Sequence, residues 1–151
     1  MPTLSFYVGI LVANLEAVIE RFSTVFGLTF APIGEMRSEL HGAVEMDCQI
    51  RATYSKEGPP YIELIEGHGD GLFSLRRGEG VHHLGFWSTD HRSYEASGPG
   101  RSLPVSVTVN VAPGEPTMWL TDPADLHGTR VEFVDERQRP MLEAWIRGTT
   151  P

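Results

Sequence analysis

The chain has little cysteine: Cys48 is the only one among 151 residues. A single cysteine excludes an intramolecular disulfide, and it excludes a metal cluster built from several thiolates of one chain. Cys48 lies in a strand-like stretch, and a free cysteine in such a place is usually an inert buried residue. Cys48 is therefore not a candidate for chemistry.

The sequence also lacks a basic run and a long apolar run. It has 20 acidic against 12 basic residues and a formal net charge of −8, which gives no general attraction to nucleic acid or to anionic lipid. No apolar stretch approaches the ~20 residues that cross a bilayer, and the amino terminus has no basic segment followed by an apolar one. We expect a cytoplasmic protein that binds neither nucleic acid nor membrane.

What is present suits one globular domain over residues 1–151, because a 40 % hydrophobic content builds a sizeable core. An apolar strand over 4–12 precedes a helix over about 15–26, which Asn14 would cap and Gly27 would end. Further strands are predicted at 28–30, 44–54 and 61–65. The order of elements is βαβββ.

The same order returns in the second half of the chain. Strands are predicted at 81–87, 103–110, 116–121 and 130–134, with a weakly helical segment at 91–97. Tyr7-Val8-Gly9-Ile10 aligns with His83-Leu84-Gly85-Phe86, and Glu63 aligns with Glu132 in the last strand of each half. We predict two modules, about 4–66 and 81–135, joined by a glycine-rich linker and followed by an amphipathic helical tail over about 140–147.

Strand alternation brings four polar side chains of these modules to one surface. Side chains point alternately to the two faces of a strand, and the apolar side chains are expected on the face that packs on helices. Tyr7, Glu63, His83 and Glu132 therefore share the opposite, concave face, whereas His82 is expected to point to the helix-packed side. A close pair of glutamates calls for a cation or a shared proton.

Four segments together resemble the vicinal-oxygen-chelate superfamily, which includes glyoxalase I, methylmalonyl-CoA epimerase, extradiol dioxygenases and bleomycin-resistance proteins. The resemblance covers about 4–135 and implies an α+β fold, in which two βαβββ modules form an open, barrel-like cup of mixed sheet with helices outside. The segments are Tyr7-Val8-Gly9-Ile10 with Asn14-Leu15-Glu16, Tyr61-Ile62-Glu63-Leu64, Val81-His82-His83-Leu84-Gly85-Phe86 and Gly128-Thr129-Arg130-Val131-Glu132-Phe133.

The resemblance also implies a divalent metal ion, such as Zn, Mn, Co, Ni, Fe or Mg. Such proteins usually hold it with His on the first strand, Glu or Gln on the fourth, His on the fifth and Glu on the eighth. Carried over, the last three ligands are Glu63, His83 and Glu132. Tyr7 stands at the first position, and a neutral phenol with a pKa of about 10 is a poor ligand. Three roles stay open for Tyr7: weak ligation, leaving a water in that position, or acting as a hydrogen-bond donor or acid to a bound substrate.

An ion held in this way polarises a carbonyl, so that a proton on the adjacent carbon is removed more easily. This is the chemistry of a lyase, or of an isomerase or epimerase, acting on a small oxygenated substrate through an enolate-type intermediate. Tyr7, Glu63 and Glu132 are the candidate catalytic residues, and Glu63, Glu132 or Glu45 would act as the base if it is not bound to the metal. An extradiol dioxygenase would need two His and one carboxylate for iron(II), which Tyr7 does not supply.

The same cup would also suit a non-catalytic protein that sequesters a drug or natural product. Trp87, Trp119, Met118 and Phe73 would then form apolar walls. The sequence leaves the enzyme and the binding protein open as alternatives, and it does not identify the substrate. We expect a homodimer, since dimers are the commonest assembly of small soluble domains.

Overall fold

The structure is a computed structural model, and it describes residues 4–42, 46–89, 103–110 and 115–149. Two α-helices lie in these ranges, α1 (Leu15–Phe26) and α2 (Arg139–Arg147). The strands are β1 (Tyr7–Val12), β2 (Gly34–Gly42), β3 (Met46–Tyr54), β4 (Tyr61–Glu66), β5 (Gly80–Ser88), β6 (Val105–Asn110), β7 (Met118–Thr121) and β8 (Val131–Asp135). No helix within the described ranges is both long enough and apolar enough to span a bilayer.

Helix α1 forms where the sequence predicts it. The Asn14 side chain accepts a hydrogen bond from the Ala17 N–H at 2.9 Å, and Gly27 ends the helix in the left-handed region with φ of 69°. Its apolar residues pack on the outer face of the sheet, against side chains of β1 and β4 such as Val12 and Leu64. The opposite face of β1 therefore points into the interior of the barrel.

The sheet closes on itself in the order β1-β4-β3-β2-β6-β7-β8-β5. The two halves have the same internal order, and β1–β4 and β5–β8 are the parallel pairs. The α+β class and the mixed, barrel-like sheet of the prediction are confirmed. The expected cup was open, whereas here the halves meet along two seams: β1 pairs with β5, and β2 pairs with β6 from Glu39 to Gly42.

The position predicted for the second strand, 28–30, is wrong. Phe30 makes an isolated bridge to Ser55, and β2 begins at Gly34. The sequence did not indicate this strand because of its charged residues. Glu35 and Arg37 face the solvent, while Ser38 and Leu40 are buried. The helix predicted over 91–97 and the alternative base Glu45 lie outside the described residues.

Two glycines shape the seam between β1 and β5. In its register Gly85 lies opposite Tyr7, and Gly9 lies opposite His83. A Cβ atom at Gly85 would lie 1.8 Å from the Tyr7 ring, and one at Gly9 would lie 2.3 Å from the His83 ring. Each ring therefore lies over the glycine of the neighbouring strand, in space that any other residue would fill.

Helix α2 packs into the same interior cluster as Tyr7 and Tyr54 through Leu142, Trp145 and Ile146. The Trp145 indole N–H donates to the Pro32 carbonyl at 2.7 Å, and its ring meets the Tyr54 ring edge-on at 5.0 Å. Next to it, Arg139 lies over Trp87, which stacks on Phe6. The helix thus covers the end of the barrel at which β1 begins.

We predict that Gly85→Ala destabilises the protein by about 1–3 kcal/mol, because the new methyl group overlaps the Tyr7 ring. Urea unfolding of Gly85→Ala, Tyr7→Ala and the double variant measures this penalty with and without the ring. The penalty should shrink in the Tyr7→Ala background, since contacting residues are not additive. An equal penalty in both backgrounds would contradict the packing described here.

Candidate functional site

Four side chains from four adjacent strands meet inside the barrel. Glu63 on β4 lies beside Gly9 of β1, which in turn lies beside His83 of β5. Glu132 on β8 lies beside Gly85 of β5, and Gly85 lies beside Tyr7 of β1. Each glutamate therefore reaches a ring across a glycine, and the predicted site residues Tyr7, Glu63, His83 and Glu132 are brought together.

The cluster is buried and closely connected. His83 Nε2 lies 3.2 Å from Glu63 Oε2 and 3.5 Å from Glu132 Oε2. Tyr7 donates its hydroxyl hydrogen to Glu132 Oε1, and Tyr54 donates to Glu63 Oε1 at 2.7 Å. The four predicted residues are between 0 and 7 % exposed. Each glutamate thus uses one oxygen for a tyrosine and turns the other toward His83.

These contacts suit a cation in the type and spacing of the ligand atoms. Glu63 Oε2 and His83 Nε2 are close but not aligned as a hydrogen bond, and neither has a hydrogen-bond partner among the described residues. Two ligand atoms about 2.1 Å from one ion, at octahedral or tetrahedral angles, lie about 3.0–3.4 Å apart. Carboxylate oxygen and imidazole nitrogen are ordinary ligands of divalent metals.

The cluster is nevertheless not a finished metal-binding group. Within the described ranges, no three or more side chains of His, Cys, Asp and Glu are already arranged to hold an ion. The carboxylates of Glu63 and Glu132 would have to turn to complete the set. The fit thus rests on the three converging atoms, two of which are buried polar atoms without a partner.

Burial controls the charges of the cluster. Burial first, and then the Glu132 and Glu63 carboxylates, raise the pKa of Tyr7 well above its usual value. The pKa of Tyr54 is raised for the same reasons. Both phenols are therefore held protonated as hydrogen-bond donors. The Tyr7 hydroxyl already donates to Glu132 Oε1, and this contact favours its donor role over weak ligation.

The other two groups are shifted by the same surroundings. Burial is the largest influence on His83 and lowers its pKa, but Glu132 and Glu63 outweigh it, so that the pKa is raised. The pKa of Glu132 is also raised, by burial first, with His83 opposing and Glu63 reinforcing the change. A protonated His83 balances part of the negative charge when no metal is bound.

The predicted direction of His82 is wrong because the ladder between β1 and β5 contains a bulge. Gly9 pairs with His83 and Ile10 pairs with Val81, so His82 is an extra residue on β5. Its Nδ1 lies 2.9 Å from Nδ1 of His83, and its ring lies 5.4 Å from the Phe73 ring. His82 therefore points into the barrel interior, beside His83 and Phe73, rather than to the helix-packed face.

A cavity of about 770 Å³ opens beside His82. It lies where the linker after β4 meets the start of β5, and Arg77, Arg130 and Leu11 also line it. Because His82 both lines the cavity and contacts His83, it connects the cavity to the buried cluster.

Strand alternation alone missed Tyr54 and His82. Tyr54 lies opposite Glu63 in the β3–β4 pair, and the turn at 56–60 would have indicated that register.

One of the proposed aromatic walls is also misplaced: Trp119 packs with Val131 and Phe133 in a separate cluster. Phe73 is buried in the apolar cluster of the barrel interior. Trp87 and Met118 pack against this cluster.

Comparison with known proteins agrees with the fold. The family model of the Glyoxalase/Bleomycin resistance protein/Dioxygenase superfamily matches residues 7–98. The chain belongs to this superfamily, which is the vicinal-oxygen-chelate superfamily that the sequence resembles. No curated protein matches the sequence.

Solved structures with the same fold include methylmalonyl-CoA epimerases. A Streptomyces coelicolor methylmalonyl-CoA epimerase variant in complex with 2-nitronate-propionyl-CoA is 22 % identical with a TM-score of 0.59, covering 89 % of this chain and 98 % of that one. The Mycobacterium tuberculosis methylmalonyl-CoA epimerase is 20 % identical with a TM-score of 0.56, covering 89 % of this chain and 92 % of that one. A hypothetical protein from Bacillus halodurans is 18 % identical with a TM-score of 0.63, covering 90 % of this chain and 96 % of that one. At these identities the similarity establishes the fold.

We predict that metal-free protein loses stability as the pH rises above about 6.5, the ordinary histidine value. The raised pKa of His83 means that protonated His83 stabilises the fold fully below that pH, and this contribution is lost as the pH rises through the folded-state pKa. The raised pKa of Glu132 acts in the same direction, beginning at lower pH.

Urea unfolding of chelator-treated protein across this range measures the effect. His83→Gln should flatten the decline above pH ~6.5, whereas His68→Gln, at an exposed position, should not. The same decline in wild type and His83→Gln would show that His83 does not carry the charge.

Proposed function

We propose that the chain is a metal-dependent isomerase or epimerase, which removes and returns a proton on the carbon next to a carbonyl group of a small oxygenated substrate. The observation that carries this proposal is the convergence of Glu63 Oε2, His83 Nε2 and Glu132 Oε2 inside the barrel. The methylmalonyl-CoA epimerases with the same fold support the reaction class.

Glu63, His83 and Glu132 would hold the metal ion. A divalent ion there would act as a Lewis acid and lower the cost of negative charge on the substrate's carbonyl oxygen. Tyr54 restrains Glu63 by its hydrogen bond, and Tyr7 restrains Glu132 in the same way. The two phenols therefore keep one oxygen of each carboxylate directed toward His83.

Glu132 is the better candidate of the two glutamates for moving the proton, because its Oε2 lies farther from His83 Nε2 than Glu63 Oε2 does, at 3.5 Å against 3.2 Å. It would act as the base when that oxygen is not bound to the metal. The Tyr7 phenol stays protonated beside it and can donate a hydrogen bond to a substrate oxygen. Glu63 remains the alternative base, with Glu132 then acting as a ligand.

Sequestration without turnover receives less support from the side-chain packing. It would need the aromatic residues as free walls of a cup, yet Trp119 packs in another cluster. Trp87 is covered by Phe6 on one side and carries the Arg139 guanidinium 4.6 Å from its ring centre. The single domain, the homodimer and the cytoplasmic location stay predictions.

Exchange of the substrate proton with solvent tests the proposed function. We expect protein supplied with Mn²⁺ or Co²⁺ to exchange the proton on carbon 2 of methylmalonyl-CoA in heavy water, followed by NMR. Loss of the base in Glu132→Gln should slow exchange by about 10²–10⁴-fold. The control is Glu20→Gln, at an exposed position on α1.

Metal content measured on the same variants separates ligands from the base. His83→Gln should lose the ion, and a glutamate variant that keeps the ion yet loses exchange identifies the base. Exchange at the wild-type rate in both Glu63→Gln and Glu132→Gln would rule out the proposed reaction.

A further inference from the structure

Neither the repeat nor the proposed reaction accounts for His82. We propose that His82 is a positioning residue: it holds the hydrogen of His83 on Nδ1, and so leaves His83 Nε2 free to bind a cation or accept a proton. This inference rests on the proposed function, in which His83 Nε2 faces the metal. It adds a residue to that site and defines what the residue does.

The bulge in β5 places the two histidines in direct contact. The rings are nearly perpendicular, at 87°, and their Nδ1 atoms are 2.9 Å apart. Two ring nitrogens at this distance share one hydrogen, which one of them donates and the other accepts. The hydrogen on the far side of each ring then follows, because a neutral imidazole carries a single N–H.

The contact with the Leu72 carbonyl favours His83 as the donor. His82 Nε2 lies 2.8 Å from this oxygen, and a carbonyl can only accept. The hydrogen of His82 is therefore on Nε2, and its Nδ1 is the acceptor for Nδ1–H of His83.

The free nitrogen of His83 then lies where the site needs it. With a hydrogen on Nδ1, His83 directs Nε2 toward Glu63 Oε2 and Glu132 Oε2. This nitrogen carries the second hydrogen of the charged ring in the metal-free protein, and it is bare when the ring is neutral or binds a cation. Metal-binding histidines commonly donate their other ring N–H to a neighbouring acceptor, which fixes the tautomer and the ring orientation. His82 supplies this acceptor in the present chain, in place of the more usual carboxylate or carbonyl.

Arg130 defines the competing arrangement. Its Nη1 lies 3.0 Å from the same His82 Nε2, and a guanidinium can only donate. If Arg130 took the lone pair of Nε2, His82 would donate from Nδ1 and His83 would carry its hydrogen on Nε2. The carbonyl contact is the shorter of the two, and Arg130 also lines the cavity.

Nitrogen NMR of the histidine rings tests the tautomer directly. At a pH above the folded-state pKa of His83, metal-free wild-type protein with ¹⁵N-labelled histidine should show neutral His83 with hydrogen on Nδ1 and His82 with hydrogen on Nε2. His82→Phe should release the His83 tautomer while keeping a ring against Phe73. His82→Gln should restore it in part, because its side-chain oxygen can accept from Nδ1–H.

Zn²⁺ titration of the same proteins measures the consequence. We expect the Kd for Zn²⁺ to rise by about 10–100-fold in His82→Phe and to recover in part in His82→Gln. His68→Phe, which removes an exposed histidine, should bind as wild type does. Arg130→Met removes the competing donor and should leave the tautomer unchanged, so it remains a test if His82→Phe does not fold.

Three results would overturn the proposal. The first is a neutral wild-type His83 with its hydrogen on Nε2, and the second is an Arg130→Met variant in which the tautomer changes. The third is a wild-type protein that binds Zn²⁺ with the same Kd as a folded His82→Phe variant. A wild-type protein that binds no Zn²⁺ would contradict the metal in the proposed function, while the NMR spectra would still decide the role of His82.

Discussion

The register between β1 and β5 is the constraint on which the rest of the site depends. It places Gly85 opposite Tyr7 and Gly9 opposite His83, so that each ring lies across the neighbouring strand. Parallel pairing with β4 and β8 then brings Glu63 beside Gly9 and Glu132 beside Gly85. A shift of this seam by one residue would separate the rings from both glutamates.

Charge is the second constraint, and it explains why the tyrosines are present. Two carboxylates buried together are costly unless a positive charge and hydrogen bonds compensate them. Tyr7 and Tyr54 supply one hydrogen bond to each carboxylate, and His83 supplies the positive charge when it is protonated. A divalent ion would take over this role, and the His82–His83 contact would keep the ring in the form that binds it.

Strand alternation predicted most of the site, because a period of two residues follows from strand geometry itself. It placed Tyr7, Glu63, His83 and Glu132 on one face, and the repeat placed two of them at equivalent positions. It failed for His82, since the bulge adds a residue and reverses the direction of the side chain. The strand β2 was missed because Glu35, Arg37 and Glu39 make it appear polar, and the closing β2–β6 pair has no local signal.

An anomalous difference map of crystals grown with Zn²⁺, recorded on both sides of the zinc absorption edge, tests the central claim most directly. The account predicts a peak within the barrel, about 2.0–2.2 Å from Glu63 Oε2, His83 Nε2 and Glu132 Oε2. A map in which zinc binds only elsewhere on the chain, with His83 still in contact with Glu63, would contradict it.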